Sequence, residues 1–106
     1  MEDDKYRVSL IPIAIQDLDE IFLTLSEHFS FLESVDKVIN RIEKAIYELK
    51  EFPYAYPLLA DPLLRQKGYR RRIVENYLVF YLIDEEKKQV IIMRVLHNKS
   101  NYQTYI

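Results

Sequence analysis

Residues 68–102 read GYRRRIVENYLVFYLIDEEKKQVIIMRVLHNKSNY, and this stretch decides the fold. From Arg70 onward the hydrophobic pattern has a period of two, which marks strands rather than helices. RRRIVEN reads as one strand, Tyr77 to Asp84 as a second and Gln89 to His97 as a third. Glu75-Asn76 and residues 84–88 are polar segments of turn length, so two successive hairpins should join the strands. Within the first strand, alternation sends Arg70 and Arg72 to one face and Arg71 to the other.

Working upstream, YAYPLLADPLLRQKG (54–68) holds two prolines and the chain's single glycine, so it reads as a loop with one helical turn. Before it, Val35, Val38, Ile39, Ile42, Ile46 and Leu49 recur at helical spacing, and Phe52-Pro53 should stop that helix. Ser30 to Glu33 (SFLE) matches a capping box at its start. Earlier still, Ile15, Leu18, Phe22, Leu25 and Phe29 define the apolar face of another helix. Gln16, Asp17, Asp19, Glu20 and Glu27 fall largely on its opposite, solvated side. The linker between the two helices is short enough to force an antiparallel hairpin. YRVSLI (6–11) is a short strand ended by Pro12. The order strand, helix, helix, then three strands indicates an α+β fold. A helix hairpin should pack on one face of a four-stranded, mainly antiparallel sheet, leaving the other face partly open. Open sheets with basic edges suit macromolecular docking. At 106 residues, the whole chain (1–106) is expected to be a single domain.

Composition narrows the chemistry. There is no cysteine, hence no disulfide, thiolate nucleophile or thiolate metal site, in keeping with a reducing cytoplasm. The two histidines stand far apart in sequence, so no metal is expected; one glycine cannot build a phosphate-binding loop, and no cofactor is expected. No apolar run approaches the ~18–20 residues of a membrane span, and MEDDKYRV does not read as a secretory signal. A cytoplasmic, membrane-free protein is the expectation. The net charge of −2 conceals an asymmetry: residues 1–53 carry 6 Lys+Arg against 12 Asp+Glu, and residues 54–106 carry 9 against 5. A basic half can steer toward phosphate, although solvated helix faces account for the acidic half equally well.

With these elements in place, the segment 68–102 resembles the RelE/ParE toxin superfamily of type II toxin–antitoxin systems. The resemblance lies in a basic strand, a turn, NY opening an apolar strand that reaches FY, an acidic turn, and a strand ending RVLH. The N-terminal half agrees, with AIQDLDEI opening one helix and ELKEFP closing the next. The resemblance implies a RelE-like β-α-α-β-β-β domain and a toxin neutralised by a cognate antitoxin. RelE-like members are metal-independent, ribosome-dependent endoribonucleases acting on messenger RNA; ParE-like members inhibit DNA gyrase instead. Contact with DNA is implied only indirectly, through the antitoxin.

Cutting RNA without a metal requires a base for the 2′-OH, cations for the phosphorane and an acid for the leaving oxygen. On the resemblance, Arg70 and Arg72 match the basic pair of the first hairpin strand, Arg94 lies on the last strand, and His97 and Tyr102 stand where the family puts its terminal catalytic group. These five are the candidate catalytic residues. The pattern departs from RelE-like nucleases where Leu78 follows Tyr77, a position those enzymes fill with arginine, and the pI of about 5.7 suits a ribosome ligand poorly. Structural readings stand beside the functional ones. Arg70–Arg72 can protect a sheet edge, Arg94 can pair with an acidic neighbour, and Tyr77, Phe80 and Tyr81 can be core. Three functions therefore compete: the ribosome-dependent messenger-RNA endoribonuclease, which is the leading expectation, the gyrase poison as its alternative, and a regulatory member that binds only its antitoxin.

Overall fold

A computed structural model describes residues 5–106. Residues 1–4, the start of the acidic MEDDKYRV stretch, lie outside the described residues. The chain runs β1 (Arg7–Leu10), α1 (Pro12–His28), α2 (Leu32–Glu48), α3 (Pro62–Gln66), β2 (Arg70–Val74), β3 (Tyr77–Asp84) and β4 (Gln89–His97), then a 3-10 turn at Tyr102–Thr104. The sheet order is β1-β4-β3-β2, with β1 parallel to β4 and the other two pairings antiparallel. This is the expected α+β arrangement, and β3 and β4 begin and end at the residues that alternation indicates.

Hairpin geometry follows from local chemistry. Glu75 adopts φ +56° in the two-residue β2–β3 turn and Lys88 φ +51° in the β3–β4 turn, the positive φ that tight reversals require. In β4, Phe80 faces Arg94 whereas Tyr81 faces Ile92, so Met93 is an extra residue that bulges the strand. α3 is capped at both ends. Asp61 Oδ1 accepts from the Leu63 and Leu64 amides (3.0 and 3.2 Å), with Pro62 in the first turn. At the other end Gly68 takes φ +91°, and the bonds Gly68 N–H to Arg65 O and Tyr69 N–H to Leu64 O form a Schellman closure.

Two apolar clusters flank the sheet. On the helix side Ala14, Ile21, Ile42, Ile46 and Leu49 meet Tyr77, Val79, Tyr81, Val90, Ile92 and Val95. Each fully buried aliphatic side chain there contributes about 1.5–3 kcal/mol. Tyr81 keeps its hydroxyl satisfied by donating to Pro53 O at 2.6 Å. The opposite face carries Leu78, Phe80 and Leu96, covered in part by Leu59, Leu64, Tyr69, Tyr102 and Ile106.

Three details differ from the sequence reading. The capping box does not form: Phe31 is the N-cap of α2, with no side-chain cap bond, which places Ser30 one residue too early. α2 ends at Glu48, and a run of turns, rather than helix, leads to Pro53. The buried line of α1 is Ala14, Asp17 and Ile21, rotated from the expected stripe, so that Ile15, Phe22 and Phe29 are exposed and Asp17 is not solvated.

The β3–β4 turn is tied to the rest of the chain by Glu85, which accepts from Tyr6 (2.7 Å), Tyr54 (2.6 Å) and Lys88. The Lys88 bond, followed by those from Tyr54 and Tyr6, holds the Glu85 carboxyl down at about 2, and the Glu85 bond pushes the Tyr54 hydroxyl up to about 12. A carboxyl depressed in the folded state stabilises above its unfolded value and loses that contribution as pH falls through its folded value. The contribution should therefore decline between about pH 4 and about 2. Acid titration followed by circular dichroism should show that Glu85→Gln flattens this part of the unfolding curve relative to wild type.

Candidate functional site

The five candidate residues occupy three places. Arg70 and Arg72 lie on β2, opposite Tyr81 and Val79, and so on the helix side of the sheet. Arg72 Nη1 donates to Ala45 O (2.8 Å) and to Glu48 Oε1 (3.0 Å), both in the last turn of α2. A guanidinium there complements the negative end of the helix dipole. Its carbon also sits 4.7 Å from the Tyr56 ring centroid. Arg70 Nη1 donates to Tyr56 O at 2.7 Å, and its guanidinium stacks 5.0 Å from the Tyr54 ring. The two arginines thus share a face, as alternation requires, and both are engaged in fastening the 53–57 loop and α2 to the edge strand. Arg71 faces Phe80 on the other side and makes no side-chain hydrogen bond or ion pair among the described residues.

Arg94 and His97 belong to a second place, at the end of β4. β1 accompanies β4 only as far as Ile92, so the remainder of that edge has no strand beside it. α1 fills the gap with Asp17, which is 6% exposed. Its Oδ2 accepts from the Val95 amide (2.9 Å), and its two carboxylate oxygens accept from Arg94 Nε and Nη2 at 2.8 Å each. Arg94 Nη1 donates further to Tyr105 O at 3.2 Å. The Asp17 hydrogen bond is the main reason that the Arg94 pKa rises above its ordinary value. Bidentate geometry and complete hydrogen bonding are what allow such a pair to be buried.

Next to it, the His97 ring stacks edge-on against Tyr77, with centroids 5.4 Å apart. His97 Nδ1 accepts from the Lys99 amide (3.1 Å), which leaves Nε2 as the protonated nitrogen of the neutral ring. Burial raises the Tyr77 hydroxyl above its usual value, which favours the neutral phenol over the phenolate. Together with Thr24, Glu20 and Tyr105, these groups line a cavity of about 350 Å³ between α1 and β4.

Tyr102 is in the third place, on the opposite face of the sheet, its ring 5.0 Å from that of Phe80. The structure therefore brings Arg94 and His97 to one cavity and leaves Arg70, Arg72 and Tyr102 outside it. β2 and β4 are separated by β3, a span of roughly 10 Å between backbones. Sequence reasoning missed Asp17. Its signal was the alignment of Ala14, Asp17 and Ile21 at spacings of three and four, which puts a carboxylate on a buried line. Leu78, where RelE-like nucleases carry arginine, is buried with Leu59, Leu64, Phe80 and Leu96. Among the described residues no group of three or more His, Asp or Glu is arranged to hold a metal ion, and no helix is long and apolar enough to cross a membrane.

Residues 8–102 match the family model described as the ParE toxin of the type II toxin–antitoxin system, parDE. Among solved structures the chain is similar to the chromosomal ParDE system of P. aeruginosa, with 17% identity over 89% of this chain and 97% of that one, at a TM-score of 0.72. It is similar to the toxin–antitoxin complex RelBE2 of Mycobacterium tuberculosis, with 26% identity over 88% and 98% at a TM-score of 0.60. A double arginine-to-alanine mutant of the E. coli toxin RelE in the free state gives 17% identity over 95% and 90%, at a TM-score of 0.63. At 17% identity the likeness is one of fold alone. No curated protein matches at a significant level.

The buried pair makes a quantitative demand. Arg94→Ala would leave the Asp17 carboxylate buried with only the Val95 amide to hold it, a loss of about 3–5 kcal/mol. Urea unfolding should register that loss, whereas Arg71→Ala should change stability by no more than about 0.5 kcal/mol. Arg94→Lys should recover only part of it, because an ammonium cannot form the two parallel bonds.

Proposed function

The chain belongs to the ParE toxin family of type II toxin–antitoxin systems, and from that premise we propose that it is neutralised by a cognate antitoxin and arrests growth by binding and inhibiting DNA gyrase rather than by cutting messenger RNA. One observation carries this reading: the five residues suited to RNA cleavage are divided among three places. Three of their guanidiniums hold structural contacts, Arg72 on the α2 carboxy-terminus, Arg70 on Tyr56 O and Arg94 on Asp17. A metal-free phosphoryl cleavage needs its base, acid and cations to converge within hydrogen-bond reach of one phosphate. The apolar setting of Leu78 and the pI of about 5.7 weigh the same way. A toxin that acts by binding needs no such convergence, only a complementary surface.

The nuclease reading retains one specific support, the shared cavity of Arg94 and His97. In that version Arg94, held by Asp17, would stabilise the phosphorane and His97 Nε2 would move the proton, with Arg70, Arg72 and Tyr102 contacting RNA elsewhere. Two assays separate the readings. Purified toxin added to gyrase should block supercoiling of relaxed plasmid, and brief induction in cells should leave RNA 5′ ends unchanged. His97→Ala and Arg70→Ala should remain toxic. New RNA ends phased to codons, lost in His97→Ala, would reverse the assignment in favour of the nuclease.

A further inference from the structure

The cavity between α1 and β4 holds polar groups that neither the fold nor RNA cleavage uses. Asp17, Glu20 and Thr24 lie three and four residues apart on one line of α1, and all three line it. Asp17 is committed to Arg94 and the Val95 amide. Glu20 and Thr24 have no side-chain hydrogen bond or ion pair among the described residues. Arg94 does not take up the Glu20 carboxylate, because its Nε and Nη2 are bonded to Asp17 and its Nη1 to Tyr105 O.

A second unused group comes from the sheet. Tyr77 is only 8% exposed, and its hydroxyl makes no hydrogen bond among the described residues. No fully buried side-chain oxygen there is left without a partner, so this hydroxyl reaches the open space of the cavity that Tyr77 lines. Burial keeps it protonated, and a neutral phenol both donates and accepts. Buried polar side chains are normally bonded, so a ring sunk in the core with an unmet hydroxyl leaves a bond for a ligand to make. Ile21, Val95 and Leu96 supply apolar wall beside these groups.

Charge selects the ligand. With the His97 ring neutral, the lining holds two carboxylates, Asp17 and Glu20, against one guanidinium. The excess negative charge repels phosphates and carboxylates and favours a positively charged N–H donor. The volume of about 350 Å³ is at the small end for ligand cavities. From this juxtaposition we propose that the cavity is a binding site for a small organic monocation, a primary alkylammonium. Its nitrogen is held by the Glu20 carboxylate and the Tyr77 hydroxyl, and its chain lies against Ile21, Val95 and Leu96. The proposal is independent of the gyrase reading, and it excludes a scissile phosphate beside His97.

The test is amide-detected NMR titration of the full chain, in phosphate-free buffer at low salt, with butylammonium and with n-butanol and butyrate as its neutral and anionic counterparts. Butylammonium should give saturable shifts in residues 20–24 and 94–97, and bind at least about tenfold more tightly than n-butanol. Butyrate should leave those amides unmoved. Glu20→Gln should weaken butylammonium binding at least about tenfold, and Tyr77→Phe about threefold or more. Asp19→Asn, exposed on α1 and outside the cavity lining, should bind as wild type does. Glu20 is exposed and Tyr77→Phe keeps the ring, and the spectra of the free variants check that each stays folded. Equal affinity for butylammonium and n-butanol, unchanged affinity in Glu20→Gln, or no binding at all overturns the proposal. Unsaturable shifts scattered over the acidic helices would show general ionic attraction only and overturn it too. Saturable binding of butyrate beside His97 would reverse the sign of the site and move its assignment toward RNA cleavage.

Discussion

A parallel strand that stops short leaves its neighbour's edge unfinished, and the placement of α1 depends on how this chain finishes it. β1 pairs with β4 only to Ile92, and the bulge at Met93 turns the last part of β4. The Val95 amide then needs an acceptor in an apolar surrounding, where an unmet donor costs about 1–3 kcal/mol. Asp17 supplies one oxygen to that amide and both oxygens to Arg94. Either ion alone would be expensive to bury; as a pair with every bond made, they tolerate it. The pair also fixes the rotation of α1, because only one face of the helix can present residue 17 to β4. With that rotation set, Ala14 and Ile21 enter the core, and α2 folds back across a three-residue link.

The same demand explains where the basic half of the chain directs its charge. Arg72 closes the end of α2, Arg70 holds the loop carbonyl of Tyr56, and Arg94 closes the β4 edge. A guanidinium suits all three tasks because its planar fork can bond carbonyls and carboxylates while its face rests on a tyrosine ring. Charge concentrated at Arg65–Arg72 looks in the sequence like a phosphate-binding patch. In the folded chain much of it is internal adhesive, whereas the helices keep most of their acidic charge, Asp17 apart, at the surface.

Legibility of this fold in the sequence varied with the kind of signal. Strands β3 and β4 could be delimited to the residue, because alternation ends abruptly at polar turns that nothing else in the chain disguises. The phase of α1 was misread for a physical reason: Ile15, Phe22 and Phe29 are larger and more apolar than Ala14 and Asp17, and periodicity weights size. A small residue and a carboxylate occupy the innermost line because an ion pair, not apolar area, positions that helix. The capping box failed similarly, since α2 begins after Phe31, beyond the reach of Ser30. Among the candidate site residues, alternation correctly separated Arg70 and Arg72 from Arg71. Sequence spacing carries no information on which arginines a tertiary contact will occupy, so the dispersal of the five could not be read.

The distribution of cover over the molecule narrows where it can act. One sheet face is filled by the helices, and much of the other is closed by Leu59, Leu64, Tyr102 and Ile106, contributed by the 54–68 loop and the carboxy-terminal turn. The open sheet face that a RelE-like plan suggests is thus largely occupied by the chain's own segments. What remains exposed and chemically distinctive is the cavity beside Arg94 and His97 and the apolar, acid-flanked seam of the helix hairpin. The two lie on different sides of α1, one toward β4 and the other toward α2. The Asp17–Arg94 pair, which sets the rotation of α1, therefore also builds one wall of the cavity.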